Sequence, residues 1–280
     1  MKKISILGCG WLGFPLAISL LEKVYHVKGS TTTPEKLHTL KNVGIEPYLI
    51  DIPVDLEANS IESEKFSISV QEFLLGSDTL IIDIPPKLRG TVKDQVEKSF
   101  VKKIATLIPF IVNSSIKNVL FISSTSVYGE NQLRVTESTK PQPETESGKQ
   151  LIEAEELLHN RSQFKTTILR FGGLIGEDRQ PGKYLAGKEN LDNPGAPVNL
   201  IHQEDCIGII SKIVEIDCWN EILNAVSPFH PSREAYYTQK ATELNLALPK
   251  FNYSKPSTGK IIENDKVVKL LKYTFAQPNL

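Results

Sequence analysis

Four short apolar runs, "IEPYLIDI", "DTLIIDIPP", "KNVLFISS" and "KTTILRF", constrain this chain most. Each is of strand length and apolar on consecutive positions, as expected of a strand buried on both faces of a sheet. Two further β-rich runs, "KISILG" and "YHVKGS", precede them. Helical periodicity fills the gaps in "LGFPLAISLLEKV", "TTTPEKLHTLKNVG", "VKDQVEKSFVKKIATLIPFI" and "GKQLIEAEELLHN". Pro15 lies close enough to its helix start to be tolerated, Thr33 reads as an N-cap with Pro34 at the first helical position, and Gly44 closes that helix. Strand and helix alternate to about residue 170, which predicts an α/β fold: a doubly wound parallel sheet with helices on both sides.

The expected organisation is a nucleotide-binding domain over 1–170, completed by 198–226, and a smaller mixed substrate-side lobe from 171–197 and 227–280. The stretch after residue 171 is rich in glycine, proline and asparagine, which suggests loops over the sheet's carboxyl edge. "SREAYYTQKATELNL" reads as an amphipathic helix whose Tyr236 and Tyr237 could face substrate or the second copy in a homodimer, core packing being the ordinary reading.

Charge and cysteine usage exclude several classes. With 32 basic and 33 acidic residues the formal net charge is -1, without the positive surplus a nucleic-acid binder uses. Cys9, Cys206 and Cys218 are odd in number and widely spaced, so neither a disulfide framework nor a metal site is suggested, and a reducing cytoplasm fits. The opening "MKKISILGCG" imitates a lipoprotein signal, but Ile4 to Gly8 is shorter than the roughly 7–15 apolar residues such a segment needs. No stretch approaches the roughly 18 uninterrupted apolar residues of a membrane span.

The chemistry starts at "ILGCGWLG". Gly8, Gly10 and Gly13 follow a strand and open a helix, the context in which such glycines turn the chain, admit a pyrophosphate and pack helix on strand. Trp11 and Leu12 complete the loop; Trp11 would lie over the pyrophosphate or against the adjoining chain, with packing its ordinary role. An NAD-preferring site places an acid roughly 20 residues further on. Here the chain offers Ser30, Thr31 and Thr32, with Lys36 in the next helix's first turn, a set better suited to the 2′-phosphate of NADP, with NAD the alternative. Thr31 to Thr33 could equally serve as caps.

"FISSTSVYGE", "ESTKPQPE", "LRFGGLIGEDRQP" and "NLIHQEDCIGII" together resemble the extended short-chain dehydrogenase/reductase family, the NAD-dependent sugar epimerases and dehydratases, from residue 3 to about 226. The resemblance implies a Rossmann fold, with Asp51 and Ile52 near adenine, and Ile84, Pro85 and Pro86 on the nicotinamide side. It also implies Ser123 at the cofactor and Ser124 holding the reacting oxygen. The family's Tyr-x-x-x-Lys pair, in which lysine lowers the tyrosine's pKa, falls here on Ser147 and Leu151, so the resemblance is to an atypical member.

Each substitute has an ordinary alternative. Lys149 lies about 200° around the helix from the lysine's place, so it reaches a cofactor only if the helix start shifts; otherwise it is a solvated lysine. Ser147 could orient a water or cap the helix. Tyr128 carries the right group, but in the relatives it lines the substrate side. His202 could carry a proton or bind substrate, though the element it shares with Asp205 more often fixes a loop and caps a helix. Arg179 could hold a substrate phosphate or carboxylate, or make a surface ion pair. Two functions stay open: an NADP-dependent oxidoreductase or epimerase acting on a small polar or nucleotide-sugar-like substrate, and a non-catalytic NADP(H) sensor that signals to a partner.

Overall fold

The computed structural model describes residues 2–55, 60–86 and 99–279. Its elements follow in the order β1 (Lys3–Leu7), α1 (Gly13–Glu22), β2 (His26–Thr31), α2 (Lys36–Asn42), β3 (Glu46–Leu49), α3 (Ile61–Leu74), β4 (Thr79–Ile82), α4 (Ser99–Val112), β5 (Asn118–Ser124) and β6 (Arg134–Val135). Then come α5 (Glu146–His159), β7 (Lys165–Phe171), β8 (Gly173–Ile175), α6 (Gly182–Leu185), β9 (Leu200–His202), α7 (Gln203–Glu215), β10 (Ile222–Ala225), α8 (Arg233–Glu243), β11 (Ile261–Ile262) and α9 (Asp265–Leu271). Among the described residues, seven strands form one parallel sheet in the order β10-β7-β5-β4-β1-β2-β3, with flanking helices. This is the Rossmann-type α/β fold the alternating pattern predicts.

The apolar runs are buried because the central strands face helices rather than water. Ile4, Ile6, Ile81, Ile82, Leu120 and Phe121 are fully buried on β1, β4 and β5. Leu16, Ala17 and Leu20 supply the matching stripe of α1, with Pro15 in its first turn. Register then sets the site: Ile6 pairs with Gly29 and Leu7 with Ile82, so the loop leaving β1 emerges between the ends of β2 and β4.

The chain divides into two compact units: Met1–Ser124 with Thr145–Leu169 and Ile210–Ile222, and Thr125–Glu144 with Arg170–Ile209 and Leu223–Leu280. The second contains two small parallel pairs, β6 with β11 and β8 with β9.

Three local expectations need amendment. Thr33 does not cap α2: a turn closed by the Lys36 N–H on the Thr33 carbonyl comes first, and Glu35 is the N-cap. Thr145, not Ser147, caps α5, its hydroxyl accepting the Gly148 N–H at 3.1 Å. The helix expected from Val92 is described from Ser99, and 92–98 lie outside the described residues.

Candidate nucleotide site

In the first unit the glycine loop is shaped by contacts that only glycine permits. Gly8 has φ +106°, and a Cβ there would stand 2.3 Å from the Asp83 carbonyl oxygen. A Cβ on Gly13 would lie 2.2 Å from the Gly8 carbonyl oxygen, so helix and loop could not approach as they do. Gly10 is different: it is exposed, and a Cβ added to it meets no atom within 4 Å. The protein's own packing therefore explains glycine at 8 and 13 and leaves open space over Gly10, where a phosphate approaches in a dinucleotide cradle. Helix α1 opens at this loop with no side-chain cap and no acid in its first turn, which leaves its positive end facing outward.

The end of β2 holds the loop in place. The Ser30 hydroxyl accepts the Gly8 N–H at 2.9 Å, and the Ser30 carbonyl accepts the Cys9 N–H at 2.8 Å. Buried Ser30 thus serves first as a latch for the loop. Thr31 is also buried, its hydroxyl accepting the Thr33 N–H at 3.1 Å, whereas Thr32 and Lys36 are exposed. Cys9 is buried, and desolvation, with Asp83 nearby, pushes its thiol up to about 12, so it is inert as a nucleophile. Leu12 is core, Trp11 is half-buried, Ile52 is buried and Ile84 half-buried, and exposed Asp51 pairs with Lys103 at 3.6 Å.

Ser123 and Ser124 end β5 with different surroundings. Ser123 is buried and donates to the Glu155 carboxylate of α5 at 2.6 Å; Ser124 is half-buried. On α5, Leu151 is 3% exposed and part of the core, while Lys149 is exposed. Pro85 is exposed and Pro86 half-buried after β4.

The remaining sequence candidates belong to the second unit. Tyr128 is buried, its hydroxyl accepting from the Arg170 guanidinium at 2.7 Å and donating to Asn224 Oδ1 at 3.0 Å. Arg170 also lies 5.0 Å from the centre of the Tyr128 ring. Burial pushes the Tyr128 phenol above its ordinary value despite Arg170. Lys260 fixes the same segment by donating to the Tyr128 carbonyl at 2.8 Å. His202 is half-buried at the end of β9, and its Nδ1 accepts the Glu204 N–H at 3.3 Å. Asp205 anchors the C-terminal segment, accepting from the Tyr273 hydroxyl and from the Ala276 and Gln277 N–H groups. Arg179 is half-buried, in a backbone bridge with Gly176. Tyr236 is core, 1% exposed, with Tyr237 edge-on to it.

The sequence reading passed over Asp83, Glu155, Arg170 and Asn224. Asp83 carried the one available signal, an acid inside the apolar run "DTLIIDIPP". No group of three or more His, Cys, Asp or Glu among the described residues could hold a metal ion, and no helix there is long and apolar enough to cross a membrane.

No protein-family model matches the sequence. Over 280 residues it is 35% identical to Protein YeeZ of Escherichia coli strain K12, covering 100% of this chain and 97% of that protein. Among solved structures, a functionally unknown conserved protein from Silicibacter pomeroyi superposes with a TM-score of 0.76 at 20% identity, covering 100% of this chain and 95% of that one. UDP-glucuronic acid 4-epimerase from Bacillus cereus, in complex with NAD, gives 0.77 at 19%, covering 100% and 92%. A short-chain dehydrogenase/reductase superfamily protein from Agrobacterium tumefaciens with bound NAD gives 0.77 at 15%, covering 98% and 92%.

Proposed function

We propose that this chain, which belongs to the family of Escherichia coli Protein YeeZ and has the Rossmann fold of the short-chain dehydrogenase/reductases, binds a nicotinamide dinucleotide at its glycine loop. The observation that carries the reading is Gly10: glycine stands where the protein would accommodate a side chain, in front of an uncapped helix terminus. Structural neighbours in complex with NAD support it.

NADP is the preferred form. No acid stands among Ser30 to Thr33, where β2 ends, to accept hydrogen bonds from a ribose, and the exposed polar groups of the following turn are Thr32, Glu35 and Lys36. The bound dinucleotide would supply hydride chemistry. Within the first unit, Ser124 would hold the reacting oxygen of a small polar or nucleotide-sugar-like substrate; within the second, Arg179 and His202 are the groups able to bind a phosphate or carboxylate. Lys149 and Tyr128 stay the named proton carriers, and exposed Lys149 keeps its amine in water whereas the Tyr128 hydroxyl is engaged on both sides.

One observation favours a second reading, a dinucleotide-binding module without turnover. Leu151 packs in the core at the place where the family's lysine would grip the nicotinamide ribose. Turnover of candidate sugar-nucleotide substrates separates the two: an oxidoreductase consumes NADPH, an epimerase converts the sugar with no net change in cofactor, and a binding module does neither.

The test is Gly10→Val. Because no atom lies within 4 Å of the added Cβ, the variant should melt with the wild type. It should lose at least about tenfold in NADPH affinity, roughly 1.4 kcal/mol, because the side chain fills the phosphate's approach. Unchanged affinity would show that no phosphate comes near Gly10.

A further inference from the structure

His202 ends β9 and immediately precedes α7, the position from which a side chain caps a helix. It does so here: Nδ1 accepts the N–H of Glu204, the second residue of α7, at 3.3 Å. Histidine is an unusual choice for that task, which asparagine, aspartate, serine and threonine perform better. Elsewhere in this chain Ser60, Thr145 and Ser232 cap α3, α5 and α8 in the ordinary way. Capping alone therefore does not call for an imidazole.

What imidazole adds is the second nitrogen. A backbone N–H can only donate, so Nδ1 carries no hydrogen and the ring proton sits on Nε2. The imidazolium, with hydrogen on both nitrogens, cannot make the bond to Glu204. Nε2 has no hydrogen-bond partner among the described residues and is not one of the enclosed unpaired atoms, so its N–H is open to solvent. The first turn of α7 that fixes the ring is itself tied down. Glu204 accepts from the Gln277 side chain at 3.1 Å, and buried Asp205 accepts from the Tyr273 hydroxyl and the Ala276 and Gln277 N–H groups.

Strand register brings a second group to the same place. His202 pairs with Ile175 across β8 and β9, and Gly176, next in the chain, is bridged to Arg179. A guanidinium-bearing residue and a fixed imidazole therefore share one end of one strand pair, inside the second unit. Arg179 contributes charge, and His202 contributes a donor of set direction.

We propose that His202 is a substrate-specificity residue that donates a hydrogen bond from Nε2 to an anionic oxygen of the substrate, phosphate or carboxylate, and carries no proton in the reaction. This rests on the nucleotide-sugar reading of the substrate. It explains a histidine at a capping position by a task that no ordinary capping residue performs.

The experiment separates the two nitrogens. His202→Asn keeps an acceptor for the Glu204 N–H but has no donor in the place of Nε2, whereas His202→Gln keeps that donor and loses the cap. Both variants and wild type are melted and titrated calorimetrically with UDP-glucuronic acid, UDP-glucose and glucuronate in the presence of NADPH. His202→Asn should melt at or above wild type and bind about tenfold or more weakly, the worth of a hydrogen bond to a charged group. His202→Gln should melt lower and keep its affinity within about threefold. A loss that includes UDP-glucose assigns the oxygen to phosphate, and a loss confined to the two glucuronates assigns it to carboxylate. Unchanged affinity of His202→Asn for every probe, or equal losses in the two variants, overturns the proposal. Failure of wild type to bind any probe overturns the nucleotide-sugar reading and this proposal with it, while nicotinamide fluorescence of NADPH in the same samples reports on the dinucleotide reading separately. Nitrogen NMR of the ligand-free protein supplies an independent readout, the His202 signals being those absent from His202→Asn. A proton on Nε2 and none on Nδ1 at neutral pH supports the proposal, and a proton on Nδ1 refutes it.

Discussion

Replacing Gly13 by alanine tests whether the loop's shape is set by close backbone approach. The added carbon would sit 2.2 Å from the Gly8 carbonyl oxygen and 3.1 Å from both the Gly8 carbonyl carbon and Asp83 Oδ2. Ordinary carbon-to-oxygen contacts lie at roughly 3.3–3.6 Å, so about 1 Å of separation has to be found. The nearest atom is backbone, tied through Gly8 to the Ser30 latch, so no side chain can rotate aside. Overpacking of this kind costs about 3 kcal/mol, at the upper end of the ordinary range. For a chain of this size that corresponds to a fall of roughly 6–12 °C in melting temperature, followed by far-ultraviolet circular dichroism. Gly10→Ala is the control and should melt with the wild type, since its Cβ meets nothing within 4 Å. Equal melting temperatures for Gly13→Ala and wild type would refute the steric account of the loop.

Two further outcomes follow from the buried polar groups. Tyr128→Phe should destabilise by about 1–3 kcal/mol in urea, because it removes a hydroxyl that serves both the Arg170 guanidinium and Asn224 Oδ1; undiminished stability together with lost turnover would instead mark Tyr128 as a proton carrier. Asp83→Asn should gain stability over wild type as pH rises from about 4 towards 8. The unfolded carboxyl ionises from the ordinary 3.8 while the folded one keeps its proton to about 8, so wild type loses stability across that window and the difference levels off above it. Melting temperatures of both proteins against pH check this, and a constant gap would contradict it.

The fold was legible because strands buried on both faces leave no polar alternation: "LII" of β4 and "VLF" of β5 are almost wholly apolar and lie in the sheet's interior. The glycine loop was legible for a steric reason, since Gly8 and Gly13 answer to contacts that any side chain would break. What surrounds the loop was not. Ser30 looks like an open hydroxyl for a phosphate until its bond to Gly8, 22 residues away, is seen. Tyr128 looks like a free phenol until Asn224, 96 residues away, closes on it. Asp83 reads as a strand-end acid because charge state depends on enclosure, which sequence does not record. Caps failed for a smaller reason: Thr145 and Ser147 carry equivalent hydroxyls, and only backbone geometry decides which one meets the Gly148 N–H.

The central claim is that the glycine loop is a dinucleotide cradle. Titration of the purified, nucleotide-free protein with NADPH and with NADH at neutral pH, beside a Thr31→Asp variant, tests it most directly. The account predicts saturable binding that is tighter for NADPH, with Thr31→Asp weakening or reversing that preference. Failure of both nucleotides to bind would contradict it and leave the loop as a packing device between β1 and α1.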